Sequence, residues 1–207
     1  MLKLSDINIE KLKKNKLESE LPEFYELKNI VENNAWHIND SVFDHTVNVL
    51  EKLEELMNNA KYKIRIYLNE KIDNYSKKDI LFLAALFHDI AKKETIKTGG
   101  AITSCPNHEE EGSHKCKAIL SRFDLSEKEK DVIVRIVRYH GEIHAIVDPE
   151  NERLEDQYKE FRTKYHDILL ELILLAMADI SGCQLNENDP DEFNFRMNFY
   201  QNVIYNY

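Results

Sequence analysis

The chain has 207 residues, 43% of them hydrophobic, which is enough for one substantial core and at most two small ones. Its formal charge of −10 argues against broad, charge-driven binding along a nucleic-acid backbone. No apolar run reaches the ~18–20 residues that span a bilayer, and Met1-Leu-Lys-Leu-Ser-Asp6 holds no apolar signal core, so a cytoplasmic protein with no membrane contact is expected.

Only five glycines and four prolines are present, and helical patterning recurs throughout, so the expected fold is all-α, a single-domain helical bundle. Residues 1–20 are charged without a clear apolar face and read as an N-terminal arm, loose or a surface helix, ahead of a domain over 21–207. A helix starts near Leu21, with Pro22 in its first turn. The polar segment 33–41 reads as a loop whose Asp40 or Ser41 caps a long helix carrying His45, with Val42, Val49, Leu50 and Leu53 on its apolar side. A charged, moderately helical connection over 60–75 leads to Ser76, the N-cap of a helix that carries His88 and Asp89. Gly99-Gly100 and Pro106 mark 95–107 as a loop. The helix over about 107–122 opens on Glu109, Glu110 and Glu111, suited to the positive end of a helix dipole. Ser126-Glu-Lys-Glu129 has the capping-box pattern for a helix ending at Tyr139-His140-Gly141. After Pro149 a charged stretch, 150–167, precedes an apolar helix that delivers Asp179. Residues 191–207 form an aromatic final helix expected to pack across the bundle.

The chemistry concentrates at His88-Asp89. Residues 81–87 are all apolar, so this helix is expected to be buried nearly all round. An imidazole and a carboxylate there cost several kcal/mol unless each finds a strong partner. Neighbouring helical residues point about 100° apart, an arrangement that can grip one ion from two sides. His45, His140 and Asp179 are also polar groups in or at the end of apolar helical runs. One such histidine is usually a hydrogen-bonded core residue; four such positions in one small chain point to a shared divalent cation. Cys105-x-x-His108 and His114-x-Cys116 have the letters of a zinc site, but positions two apart do not converge on a helix. His37, His114, His144 and His166 carry no strong claim.

In chain order the candidates are His45, His88-Asp89, His108, His140 and Asp179, within the words His45-Thr-Val-Asn-Val-Leu50, Ala84-Ala-Leu-Phe-His-Asp-Ile-Ala-Lys92, His108-Glu-x-x-Gly112 and Ala178-Asp179. This pattern resembles the HD-domain superfamily of metal-dependent phosphohydrolases. With Leu21-Pro-Glu-Phe-Tyr-Glu-Leu27 and Trp36-His37-Ile-Asn-Asp-Ser-Val-Phe-Asp-His-Thr46, it is most similar to the HD domain of bacterial CCA-adding tRNA nucleotidyltransferases. Two departures stand out: Ala91 replaces the usual glycine of the HD-x-G-K signature, and no nucleotidyltransferase Gly-Ser…Asp-x-Asp strand is present, so a free-standing HD hydrolase is expected. The resemblance implies that His45, His88, Asp89 and Asp179 hold one ion, a mixed N/O set suited to Mn, Fe, Ni, Zn or Mg. It implies that His108 and His140 hold a second ion, with Asp89 bridging, or else meet phosphate oxygens and move protons. Asp89 and Lys92 are the groups expected to act on substrate, Lys92 by meeting a phosphate oxygen. The implied substrate is a small phosphorylated molecule, a nucleotide or RNA end: a 2′,3′-cyclic phosphate, 2′-nucleotide or nucleoside monophosphate. Lys92-Lys93-Glu94 after the HD pair and the lack of a Gly-Tyr-Pro signature disfavour (p)ppGpp and cyclic-di-GMP. The alternative is a non-catalytic, metal-containing nucleotide-sensing or regulatory module.

Overall fold

A computed structural model describes residues 1–207. Its first helices are α1 (Ile9–Lys13) and α2 (Pro22–Tyr25), followed by a hairpin of β1 (Val31–Asn33) and β2 (Ile38–Ser41). Then come α3 (Val42–Asn59), α4 (Tyr62–Asn69), α5 (Lys77–Phe87) and α6 (Lys92–Thr95). A second hairpin pairs β3 (Lys97–Gly99) with β4 (Ile102–Ser104). The rest is helical: α7 (His108–Leu120), α8 (Glu127–Tyr139), α9 (Glu142–Ile146), α10 (Leu154–Lys164), α11 (Leu169–Gly182), α12 (Leu185–Asn188) and α13 (Pro190–Tyr205). The protein is a mainly helical single domain, and no helix is long and apolar enough to cross a membrane.

Local chemistry sets the helix starts. Ser41 Oγ accepts the Asp44 N–H and caps α3. Ser76–Asp79 and Ser126–Glu129 form capping boxes on α5 and α8. Glu129 is fully buried because its second oxygen accepts the N–H groups of Asn74 and Tyr75, tying the loop before α5 to α8. Helix α11 is buried almost all round and lies against α3. Glu171, in the first turn of this apolar helix, accepts the Tyr67 hydroxyl. A Cβ on Gly182 would stand 2.9 Å from the backbone nitrogen of Val49, so the bare glycine lets the end of α11 meet α3 backbone to side. That approach brings Asp179, one turn before Gly182, to His45, one turn before Val49.

Three expectations about local structure are corrected. The 1–20 segment is not loose: Ile7, Ile9, Leu12 and Leu17 join the hydrophobic core, and Leu2 N–H donates to the Arg122 carbonyl. Short turns break up its apolar positions, so no helical stripe shows. The segments 33–41 and 95–107 are largely hairpins, the second turning at Gly100 with φ +69°. The two hairpins meet where the Asn33 N–H donates to Thr103 Oγ1 and Asn33 Nδ2 donates to the Ala101 carbonyl. Lastly, His88-Asp89 sits not within a helix but at its end: His88 caps α5, and Asp89, Ile90 and Ala91 turn the chain into α6. Ala91 has φ −101°, where no glycine is needed, which accounts for that departure from the signature.

Candidate metal centre

Five helices and the turn after α5 bring in the six candidate donors. His45 lies in the first turn of α3, His108 opens α7, Asp179 lies in the last turn of α11, and His88 and His140 cap α5 and α8. The structure brings all six together around Asp89. On one side, Asp89 Oδ2 is 3.2 Å from His88 Nε2 and 3.6 Å from His45 Nε2. Asp179 Oδ1 lies 3.0 Å from His45 Nε2 and 3.8 Å from His88 Nε2. On the other side, Asp89 Oδ1 is 3.3 Å from His108 Nε2 and 3.8 Å from His140 Nε2. His45, His88 and Asp179 form one group of converging donors, and Asp89, His108 and His140 another.

The residues fit divalent cations. His45 Nε2 and His88 Nε2 are buried without a hydrogen-bond partner, a costly state for two polar atoms in one place. Ligands ~2.0–2.2 Å from one ion stand about 3.0–3.5 Å apart, close to the spacings here. The opposite ring nitrogens are already committed: Nδ1–H of His88, His108 and His140 donates to the carbonyls of Ala85, Cys105 and Val137 at 2.7–2.8 Å. Each of these bonds leaves Nε2 as the free donor, the tautomer a metal ligand needs.

Burial pulls the His88 imidazole down, but Asp89 and Asp179 outweigh it and hold the group up at about 9. Burial and the neighbouring His88 and His108 push His140 down to about 3, so it stays neutral. Burial raises the Asp89 carboxyl, yet His88 and Lys92 more than offset this and keep it well below the usual carboxylate range. A cation must therefore displace the His88 proton, so affinity should fall as pH falls below about 9. We expect Mn2+ affinity to drop about tenfold per pH unit from pH 8 to 6. Calorimetry in buffers of different ionisation heat should count about one proton released per ion. A pH-independent affinity would remove His88 from the ligand set.

Three residues that the sequence left unclaimed belong to the site. His144 Nε2–H donates to Asp179 Oδ2 at 3.1 Å. His37 stacks edge-on against His45 with ring centroids 4.6 Å apart. Buried Glu32 accepts from Lys92 Nζ at 2.7 Å. For His144 a signal existed: it lies four residues after His140, one helical turn on. Lys92 is also buried, and its ammonium is shared between Glu32 and Asp89 Oδ2, the latter at 2.9 Å. Cys116 is fully buried on α7 and joins no donor group. A cavity of about 370 Å³ opens over the centre. Asp89, His108, His140 and Asp179 line it, whereas His45 and His88 lie behind them.

Fold and site together define a helical domain built round a histidine–carboxylate cluster that could hold a metal ion. The chain belongs to the HD domain family, which matches residues 42–181; the family is in general one of metal-dependent phosphohydrolases. Over 164 residues it is 27% identical to the bifunctional uridylyltransferase/uridylyl-removing enzyme of Neisseria meningitidis serogroup A / serotype 4A, a match covering 78% of this chain and 18% of that protein. The enzymes of the same name from Azotobacter vinelandii (29% over 167 residues; 78% and 17% covered) and Legionella pneumophila strain Lens (30% over 150; 69% and 16%) are similar too. The chain thus spans under a fifth of the length of these curated relatives. None of the three is named as a CCA-adding enzyme.

Proposed function

We propose that the chain is a metal-dependent phosphohydrolase acting on nucleotidyl phosphate esters, with a uridylyl ester as first candidate ahead of the 2′,3′-cyclic phosphates. The observation that carries this reading is the make-up of the cavity. Four carboxylates (Glu32, Asp89, Glu109, Asp179) line it against one lysine, and that lysine is already paired. A phosphate could enter so acidic a space only with cations present. The relatives' name, uridylyl-removing, supplies the leaving chemistry: water adds to phosphorus, the ester P–O bond breaks, and a uridine monophosphate and a free hydroxyl are released.

His45, His88, Asp89 and Asp179 would hold one ion, and Asp89, His108 and His140 a second. Such ions supply Lewis acidity at a phosphoryl oxygen and lower the pKa of water toward neutrality. Asp89 fixes the spacing of the two donor groups through its two oxygens. The backbone carbonyls behind His88, His108 and His140 keep their rings from turning. His108 faces the cavity with a second carboxylate beside it, Glu109 Oε2 lying 3.4 Å from its Nδ1. In a one-ion centre it is the group placed to hand a proton to the leaving oxygen. Lys92 balances the charge of Glu32 and Asp89 when no cation is present.

The test is release of p-nitrophenol from uridine 5′-(p-nitrophenyl) phosphate, with 2′,3′-cyclic AMP in parallel, under added Mn2+, Mg2+, Ni2+ or Zn2+. The expected result is turnover that depends on added metal, is abolished by chelator and favours the uridylyl ester. If a folded protein that binds Mn2+ turns over neither compound with any of these ions, the hydrolase reading fails and the sensing module takes its place.

A further inference from the structure

Helix α13 lies outside the matched family segment, yet two of its residues, one turn apart, hold a single side chain of the metal centre. Tyr200, fully buried, places its hydroxyl 3.0 Å from His144 Nδ1. Buried Arg196 donates through Nη1 to the carbonyls of His144 and Val147, both at 2.6 Å. It therefore pins the backbone of the residue whose ring Tyr200 holds. The same guanidinium lies over Trp36, 5.0 Å from its ring centroid, and the Trp36 ring meets His144 edge-on at 5.0 Å. Glu192 and Asp148 answer the remaining Arg196 donors, so the group is fixed on every side.

The hydrogen-bond sense follows from the acceptors. Asp179 Oδ2 can only accept while ionised, so His144 Nε2 carries the proton and Nδ1 accepts from the Tyr200 hydroxyl. With Oδ2 occupied in this way, Asp179 is left with Oδ1, the oxygen that lies 3.0 Å from His45 Nε2. A carboxylate free to rotate could offer either oxygen or both.

We infer that Tyr200, Arg196 and His144 form a positioning chain that aims Asp179 Oδ1 into the metal centre, so that α13 sets the affinity of the site for its cation. His144 is a positioning residue here, not a ligand, because its free nitrogen is spent on Asp179. The inference rests on the metal-centre reading above, and its test keeps the two apart.

The experiment is calorimetric titration of the full chain with Mn2+, with circular dichroism melts as a check on folding. Groups that orient a metal ligand are worth about 10–100-fold in metal affinity. His144→Leu should therefore bind Mn2+ about 10–100-fold more weakly than wild type. His144→Gln places an amide N–H near the position of Nε2 and should stay within about threefold. Tyr200→Phe, which keeps the packed ring, should lose roughly threefold to tenfold, as for one hydrogen bond. Should His144→Leu not fold, Tyr200→Phe decides alone. Unchanged affinity in a folded His144→Leu or Tyr200→Phe protein would overturn the chain. So would equal losses in His144→Gln and His144→Leu, which would make His144 a ligand. Failure of the wild type itself to bind Mn2+ would overturn the metal centre and this inference together.

Discussion

Asp89→Asn is expected to remove Mn2+ binding and ester hydrolysis together, each by on the order of 10³-fold, while leaving a folded chain. Asp89 is the residue that faces both donor groups, Oδ2 toward His45 and His88 and Oδ1 toward His108 and His140. An asparagine keeps the shape but can turn its carbonyl oxygen to one side only. The other side then receives an N–H₂ aimed at histidine nitrogens that should be ligating a cation. His88 also loses the carboxylate that most strongly opposes its burial. Fold is retained because the backbone turn 88–91 rests on the Ile90 and Lys92 N–H bonds to Phe87 and Asp89, which the substitution does not touch. A folded Asp89→Asn protein holding Mn2+ within threefold of wild type would sink the two-sided reading of this carboxylate.

Five of the six candidate donors stood out because each breaks or ends an apolar helical run, whereas His108, in the polar Pro106-Asn-His-Glu109, entered only through the family resemblance. A polar group at a position that periodicity assigns to the core has to be answered by something, and the sequence offers nothing nearby to answer it. The helix starts were legible for a comparable reason, since Ser41, Ser76 and Ser126 solve a local hydrogen-bonding problem within four residues. Glu32 and His37 lie in polar segments where one more polar residue breaks no pattern, and His144 offered only its spacing from His140. What places them at the centre is long-range: Glu32 meets a lysine 60 positions on, and His144 an aspartate 35 positions on. The hairpins escaped because strands of three or four residues, mostly polar and paired only with each other, show no alternation to read. The packing of α1 was hidden similarly, its buried Ile9 and Leu12 flanked by lysines that mask a one-turn apolar face.

The Glu32–Lys92 pair should prove the most stability-sensitive polar contact outside the donors. Glu32 is 3% exposed and Lys92 7% exposed, so both charges are out of water. Burial pushes the Lys92 ammonium toward neutrality, but Asp89 and Glu32 outweigh it and raise its pKa, so it stays charged. Lys92→Met leaves Glu32 with only a distant Cys105 thiol and His37 Nε2, each 3.7 Å away. Breaking a buried pair from one side typically destabilises by about 3–5 kcal/mol. For a chain of this size, that is a fall of roughly 10 °C in Tm. Adding Glu32→Gln to Lys92→Met removes the stranded charge, and the double variant should recover much of the loss, the signature of coupled neighbours. The effect on the cation has the opposite sign. The Lys92 ammonium sits 2.9 Å from Asp89 Oδ2, where it competes with any ion for that oxygen. The folded Lys92→Met protein should therefore bind Mn2+ severalfold more tightly even as it melts earlier. Thermal melts and Mn2+ titration of the two single variants and the double decide the matter. Single variants that melt within 2 °C of wild type would mean that the pair carries no structural weight, and weaker Mn2+ binding by Lys92→Met would mean that the lysine supports the cation instead of competing with it.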